Sequence, residues 1–176
     1  MNLYLRLFFT LLRAWRLPRF DVGTTLERSF RVLPNDIDIN GHMNNGRYMT
    51  MVDLMLMEYF VRIGFAGVLI KQGWKPMSGG SFITYRRGLK PFQKYRLRYR
   101  IDACDEFWNF MRFEFLDGDK VCAGGYMKGA AVSREGLVPN AKSYSALKMS
   151  VLPNAVPEAV QHWLAAEKNV LTQPWQ

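Results

Sequence analysis

The chain has 176 residues, 49% hydrophobic and 22% charged, which excludes a disordered chain and suits one globular domain. The formal net charge of +9 favours anionic partners, but no motif of a nucleic-acid-binding module is present, so nucleic acid is not expected. Two histidines exclude a histidine-rich zinc site. Cys104 and Cys122 lack metal-ligand spacing, so we interpret them as buried reduced thiols in a reducing compartment.

Residues 1–20 combine leucine, phenylalanine and tryptophan with four arginines. No apolar run approaches the ~20 residues needed to span a bilayer, and no signal-cleavage pattern follows. The pattern predicts a basic amphipathic helix that buries its apolar side chains while arginine reaches outward. Two locations stay open: a membrane surface, or the chain's own domain or a partner subunit. We therefore expect a cytoplasmic protein that is either free or peripheral at the inner membrane surface.

After residue 20, the alternation of apolar and polar residues is weak in the first predicted elements and strong in the later ones. A strand is expected over 26–32, then a polar loop, then a helix over 47–65 that is apolar on nearly every face and so buried. Four β-rich runs begin at residues 81, 95, 107 and 120, and the clearest has Tyr95, Leu97, Tyr99 and Ile101 on one face. The small residues 78–81 are interpreted as a bend between helix and sheet. The tail carries Pro139, Pro153 and Pro157, and a short helix is expected over 157–168.

One strand, one long helix and about four consecutive antiparallel strands predict an α+β fold. A single sheet must curve around the helix to bury it. We divide the chain into a basic N-terminal segment (1–20), a main domain (21–141) and a C-terminal extension with a short helix (142–176).

Residues 36–48 read DIDINGHMNNGRY, which looks at first like a calcium loop. Asp36, Asp38 and Asn40 match the first half of an EF-hand pattern. The twelfth position, which must supply a bidentate carboxylate, is Arg47, so calcium is not expected.

The same stretch suits acyl chemistry. Asp38, Asn40 and His42 occupy every second position, so extended backbone would point them to one side, just before a helix whose first N–H groups are free. A carboxylate, an imidazole, an amide and an oxyanion site are the groups that acyl transfer or hydrolysis requires. The alternative is that these residues only form turns and caps.

The pattern D-x-D-x-N-x-H-x-N-N-x-x-Y before a long helix resembles the hot-dog-fold acyl thioesterases, in the 4-hydroxybenzoyl-CoA thioesterase-like branch. Together with the late run VPEAVQHWLAAEK, it looks most like thioesterase superfamily member six and its bacterial relatives. The resemblance covers roughly residues 26–168. It implies a hot-dog fold and a homo-oligomer, at least a dimer, with active sites between subunits.

The resemblance also implies roles for individual residues. Asp38 matches the family's catalytic carboxylate, Asn40 and His42 match its companions, and the backbone N–H near Asn45 matches the donor that polarises the thioester carbonyl. A second acidic catalytic residue cannot be assigned, and Glu58 is the available candidate. No metal and no redox cofactor are needed for this chemistry.

Substrate contacts are expected from the motif and from a basic cluster. Asn44 and Tyr48 are assigned to substrate binding, and Arg86, Arg87 and Lys90 to the phosphates of coenzyme A. The stripe Arg96, Arg98 and Arg100 is an alternative, or a solvated sheet face. An apolar pocket is expected around Met51, Met55, Trp74 and Phe82.

The resulting hypothesis is hydrolysis of a fatty or aromatic acyl thioester of coenzyme A or acyl carrier protein, with Asp38 as general base or nucleophile. Two alternatives stay open. One is an enoyl-CoA hydratase of the same fold, and the other is a non-catalytic acyl- or lipid-binding protein at a membrane surface.

Overall fold

The computed structural model describes residues 3–152 and 155–172. Pro153 and the outermost residues of both predicted extensions lie outside this part of the chain. The helices are α1 (Leu3–Arg16), α2 (Asn45–Arg62), α3 (Phe65–Gln72), α4 (Asn140–Leu147) and α5 (Glu158–Thr172). The strands are β1 (Leu26–Arg31), β2 (Lys75–Tyr85), β3 (Lys94–Cys104), β4 (Asn109–Asp117), β5 (Lys120–Ser133) and the short β6 (Gly136–Leu137).

The sheet is antiparallel throughout, with strand order β1-β3-β4-β5-β2 and β6 beside the end of β5. Helix α2 packs on one face of this sheet through large side chains. The Tyr48 ring meets the Phe115 ring edge-on at 4.8 Å, and the Tyr59 ring meets the Tyr99 ring at 5.4 Å. The predicted α+β architecture of a curved sheet around one central helix is confirmed.

Strand β3 has the alternation that the sequence predicts. Tyr95, Leu97, Tyr99 and Ile101 are buried against the helix side. The arginine stripe on the other face is taken up by ion pairs, since Arg96, Arg98 and Arg100 contact Glu27, Asp119 and Asp102. This stripe is therefore a paired outer face of the sheet.

The long helix ends earlier than expected. Helix α2 stops at Arg62, and Gly64 follows with a φ of +83°, a conformation that favours glycine and turns the chain into α3. The sequence analysis did not predict α3 or α4 as separate helices. Helix α4 also spans the boundary between residues 141 and 142 that we drew between domain and extension.

The predicted bend at 78–81 is wrong, because these residues lie inside β2, with a bulge between Ser78 and Gly80. Their small size serves packing instead. A Cβ on Gly79 would lie 2.3 Å from the Trp108 ring, so only glycine allows that ring to cover the strand. The strand consequently begins at Lys75, six residues earlier than expected.

Helix α1 lies on its own domain, one of the two locations that the sequence left open. It runs beside α2, and its residues Arg6 and Arg13 contact Met51 and Glu58, each 45 positions further along the chain. The arginines were expected to reach outward, and this is wrong for Arg6, which is buried. The buried carboxylates of Asp36 and Glu58 bind the polar side of α1, so this side faces the domain. The outward side is mostly apolar and exposes Arg16 beside Leu3, Tyr4, Leu5, Phe8, Phe9, Leu11 and Trp15.

Helix α5 confirms the predicted C-terminal helix and packs on the sheet face opposite α2. The Trp163 ring lies 5.3 Å from the Phe82 ring, and Lys128 forms an ion pair with Glu167. Cys104 and Cys122 are buried and not disulfide-bonded, as predicted. Among the helices of the described chain, none is both long and apolar enough to cross a membrane.

Candidate active site

Residues 36–44, which we call the motif loop, fold into a tight turn. Ile37 and Met43 form an antiparallel bridge, and the Asp38 N–H donates to the His42 carbonyl at 2.9 Å. Gly41 takes a φ of +74° at the tip, which glycine adopts readily. Asp38 and His42 are thus brought opposite each other across the neck of the turn. The sequence predicted their proximity, although from extended backbone instead of a turn.

The Asp38 carboxylate is held at one oxygen by its own loop. Its Oδ1 accepts a hydrogen bond from the Asn40 N–H at 2.9 Å. Within residues 3–152 and 155–172, Oδ2 of Asp38 has no hydrogen-bond partner. Burial raises the pKa of the Tyr48 phenol, and the nearby Asp38 charge contributes to that increase.

Asn44 caps the N-terminus of α2 and leaves the Asn45 N–H without an acceptor among the described residues. Asn44 caps the helix, because its Oδ1 accepts from the Gly46 N–H at 2.9 Å and its carbonyl accepts from the Arg47 N–H at 2.9 Å. No acceptor for the Asn45 N–H is present among the described residues. Tyr85 holds this turn from the other side by donating its hydroxyl to the Asn45 carbonyl at 3.2 Å.

A second loop, residues 86–90, lies against the motif loop. The Met43 N–H donates to the Leu89 carbonyl at 2.8 Å, and the Leu89 N–H donates to the Tyr48 hydroxyl at 3.3 Å. A Cβ placed on Gly88 would lie 2.8 Å from the His42 ring, so the imidazole rests directly on that glycine. Gly88 and Leu89 are site residues that the sequence analysis missed. The only signal was a glycine directly after two arginines.

The second loop also carries the predicted phosphate-binding side chains. Arg86, Arg87 and Lys90 are exposed and flank Gly88 and Leu89. Arg87 lies 3.8 Å from Asp117 in a largely exposed pair, which is worth little and leaves the guanidinium available. The structure therefore brings this cationic cluster next to the motif loop, although about 40 residues separate the two in sequence.

The remaining predicted residues have mixed surroundings. Asn40 is exposed, the Asn44 side chain is engaged as a cap, and Tyr48 is buried beneath the second loop. Their roles toward substrate stay predictions. Asn45 is exposed.

Glu58 is not available as a second catalytic acid. It is fully buried and pairs with Arg13, Arg28 and Arg62, so it anchors α1 and β1 to α2. In the part of the chain that the structure describes, no three His, Cys, Asp or Glu side chains are grouped closely enough to hold a metal ion.

An apolar cavity of about 200 Å³ lies between the C-terminal half of α2, α4 and the sheet. Its lining includes Leu56, Met57, Phe60, Met77, Met111 and Met127. The expected pocket residues were wrong, since Met51 and Met55 are packed in the core, Trp74 packs on α3, and Phe82 packs under α5. From Asn45 to Leu56 the helix rises about 16 Å, so the cavity begins that far from the free N–H.

Comparison with known proteins gives two kinds of match. The family model described as thioesterase-like superfamily matches residues 32–164. Protein THEM6 of Xenopus laevis is 31% identical over 138 residues, which cover 76% of this chain and 64% of that protein. The chain thus spans less than two thirds of this relative's length. Helix α1 precedes both the matched region and β1.

Solved structures match the fold. A probable thioesterase from Bartonella henselae has a TM-score of 0.58 at 20% identity, covering 66% of this chain and 97% of that one. A putative oleoyl thioesterase from Lactobacillus plantarum has a TM-score of 0.63 at 13% identity, covering 77% and 55%. The curved sheet around α2 is the hot-dog arrangement of these neighbours, and with the family match over most of its length the chain belongs to the thioesterase-like superfamily.

Proposed function

We propose that the protein hydrolyses acyl-CoA thioesters with a fatty or aromatic acyl group. The observation that carries the proposal is the Asn45 N–H at the start of α2, which has no acceptor among the described residues and directly follows the motif loop that carries Asp38 and His42. Membership of the thioesterase-like superfamily supports the reaction class. A thioester carbonyl is already electrophilic, so a base and one well-placed donor supply the help that hydrolysis needs.

In the general-base form of the mechanism, Asp38 takes a proton from water as the water oxygen bonds to the thioester carbon. The carbonyl oxygen becomes an oxyanion and accepts a hydrogen bond from the Asn45 N–H, a contact worth about 3 kcal/mol in comparable sites. Collapse of this intermediate breaks the carbon–sulfur bond. The thiolate leaves with the proton that Asp38 accepted, and a carboxylic acid is released.

In the nucleophilic form, Asp38 attacks the carbonyl carbon itself and expels the thiolate, which leaves a mixed anhydride. Water then hydrolyses that anhydride and restores the carboxylate. In both forms the Asn40 N–H fixes Oδ1 of Asp38 and leaves Oδ2 available. Asn40 and His42 would orient the water or the carboxylate.

The coenzyme A end of the substrate would bind to the basic cluster beside the motif loop, and the acyl end would bind in the apolar cavity further along α2. Arg86, Arg87 and Lys90 carry the charge that the phosphates of coenzyme A require. The apolar cavity suits an acyl chain long enough to extend from the free N–H along α2. A fatty substrate also agrees with the printed name of the oleoyl thioesterase neighbour.

A thiol-release screen over acyl-CoA chain lengths, with Asp38→Asn alongside, tests the proposal. We expect release from saturated substrates and a loss of about a hundredfold or more in the variant. Crotonyl-CoA separates the hydratase alternative, because a hydratase removes the enoyl absorbance without releasing thiol. Acyl binding without any turnover would favour a non-catalytic protein, and equal rates for variant and wild type would remove Asp38 from its role.

We also propose that two copies of the chain assemble through β2. This strand has β5 on one side and, in the described residues, no strand on the other, and it exposes Met77 and Tyr85. An open strand edge readily pairs with another chain. Light scattering of the purified protein should give at least twice the mass of 20.5 kDa, and a monomer at assay concentration would contradict the assembly.

A third proposal concerns the outer side of α1, which we expect to bind an anionic membrane surface. Tyr4 and Trp15 are 77% and 79% exposed, and Phe8 is 58% exposed between them. Arg16 and Arg19 are exposed and have no ion pair among the described residues, and no acidic residue precedes Asp21, so the positive charge of this segment complements anionic headgroups. Apolar side chains beside cations are the pattern of helices that lie in a membrane interface.

Sedimentation of the full chain with vesicles tests this binding. We expect binding to phosphatidylcholine vesicles that contain phosphatidylglycerol and weaker binding without it. Phe8→Ser should reduce binding, while Phe92→Ser should not, because Phe92 is equally exposed at 56% but lies outside α1. Equal binding of both variants would contradict the proposal. Deleting α1 is unsuitable, since it would leave the buried Asp36 without its ion pair and remove one of the three arginines around Glu58.

A further inference from the structure

Arg6 of α1 reaches into the domain and binds the base of the motif loop. Its Nη2 lies 2.6 Å from Oδ2 of Asp36, and its Nη1 lies 3.2 Å from the Met51 sulfur. Arg6 is 8% exposed and Asp36 is 1% exposed. A buried ion pair therefore links a helix outside the family-matched region to the loop that carries Asp38.

Asp36 in turn fixes both ends of the motif loop. Its Oδ2 accepts from the Leu33 N–H at 2.9 Å, ahead of the loop, and its carbonyl accepts from the Asn44 N–H at 2.8 Å, where the loop joins α2. Asp38 follows two residues later and pairs through its backbone with His42. Any displacement of Asp36 would therefore be transmitted to the carboxylate and the imidazole of the site.

Within the described residues, Arg6 is the one cation paired with Asp36, and Oδ1 of Asp36 is buried without a hydrogen-bond partner. Glu58 differs, because three arginines surround it and two remain if Arg13 is lost. A buried carboxylate that loses its only cation must take up a proton or move toward water. Loss of Arg6 therefore changes the charge or the position of Asp36 at the base of the loop, whereas loss of Arg13 leaves Glu58 with two arginines.

We propose that Arg6 is a positioning residue for the site, which holds the motif loop in its reactive geometry through Asp36. The effect on turnover rests on the proposed thioesterase function. Arg6 contacts neither the free N–H nor the Asp38 carboxylate, so its effect on the reaction passes through the backbone of the loop. Helix α1 is then part of the catalytic apparatus as well as a surface element.

The matched comparison is Arg6→Met against Arg13→Met, because the two arginines are seven residues apart on the same helix and face the same way. We expect Arg6→Met to lower kcat by between about tenfold and about a hundredfold, as misplacement of a reacting group does, with KM changed little. Arg13→Met should keep kcat close to wild type. Amide hydrogen exchange across 38–43 should become faster in Arg6→Met alone.

A double variant tests whether the buried charge is the cause. Arg6→Met with Asp36→Asn removes both charges, and we expect it to regain part of the lost kcat and of the exchange protection. If Arg6→Met does not fold, Arg6→Lys is compared with Arg13→Lys. Lysine keeps the charge but cannot make the two-nitrogen contact with Asp36 and the Met51 sulfur, so exchange across 38–43 should become faster in Arg6→Lys alone, and unchanged exchange would overturn the positioning role.

Equal loss of kcat in the two methionine variants, or unchanged exchange across the motif loop, would overturn the positioning role. A wild-type protein that releases thiol from no acyl-CoA would instead overturn the proposed function. The exchange experiment would then still decide whether Arg6 holds the loop, because it does not depend on turnover.

Discussion

Because Gly88 contacts the His42 ring, replacing this glycine would displace the imidazole without substituting any polar residue of the site. In Gly88→Ala the new Cβ would lie 2.8 Å from His42 Cδ2 and 2.9 Å from Cγ, whereas ordinary contacts begin at 3.4 Å. The exposed ring must therefore retreat by about 0.6 Å, and the His42 Cβ, which would lie at 3.1 Å, must shift by about 0.3 Å together with its backbone. A misplacement of this order near reacting groups should lower kcat by about tenfold, since about 1 Å can cost a hundredfold.

Stability should not account for that loss. The φ of Gly88 is not in the left-handed region, so alanine is allowed there and restricts the unfolded chain, a gain of about 0.4–1 kcal/mol before the ring moves. Gly67→Ala is the matched control, because a Cβ on Gly67 meets no atom within 4 Å. We expect it to stabilise helix α3 and to leave kcat unchanged.

The assay is thiol release from the best acyl-CoA substrate, with thermal unfolding of each variant in parallel. In a His42→Ala background, Gly88→Ala should have little further effect on kcat, because the ring is gone and only the contact with the Cβ of residue 42, at 3.1 Å, remains. The reasoning is refuted if Gly88→Ala keeps full activity, or if its effect is equally large with and without His42.

Three further outcomes follow from the described contacts. Arg86→Gln with Arg87→Gln should raise KM for acyl-CoA but not for the matching acyl-pantetheine, which lacks the phosphates, and steady-state kinetics on both substrates checks this. Glu58→Gln leaves three arginines around a buried neutral side chain, so urea titration should give an unfolding free energy lower by about 3–5 kcal/mol. Burial and the hydrogen bond to Asp102 raise the pKa of Tyr126 to about 12, so the unfolded state loses this proton first and stability should fall as pH rises above about 10. Tyr126→Phe should lessen the difference between urea midpoints measured at about pH 9 and about pH 11.

Local signals in the sequence were enough for the parts of the fold that depend on one segment. The alternation in β3 predicts its buried face, and the polar stretch before an apolar helix predicts the motif loop and the start of α2. The prediction of a bend at 78–81 was wrong because small residues occur both in turns and where a neighbouring side chain needs room. Gly79 makes room for the ring of Trp108, which lies in the connection between β3 and β4. Nothing in the sequence around residue 79 indicates this contact.

The candidate site was predictable only on its motif side. Arg86, Arg87 and Lys90 were expected to bind phosphate, but nothing local indicates that Leu89 bonds to Met43 or that Gly88 supports His42. Helix α1 shows the same limit more strongly. Its amphipathic pattern predicts which side chains share a face, but only the distant carboxylates at Asp36 and Glu58 decide which face turns inward.

The separation in sequence between the arginines of α1 and the Glu58 carboxylate of α2 has a consequence during protein synthesis. Arg13 leaves the ribosome 45 residues ahead of Glu58, which at about 5–20 residues per second is a delay of roughly 2 to 9 s. Throughout that interval Arg13 lacks Glu58, while Asp36, the partner of Arg6, emerges 30 residues after that arginine. The nascent chain should therefore bind anionic surfaces most strongly before the rest of the domain is synthesised. Once the domain folds, Asp36 and Glu58 form ion pairs with Arg6 and Arg13.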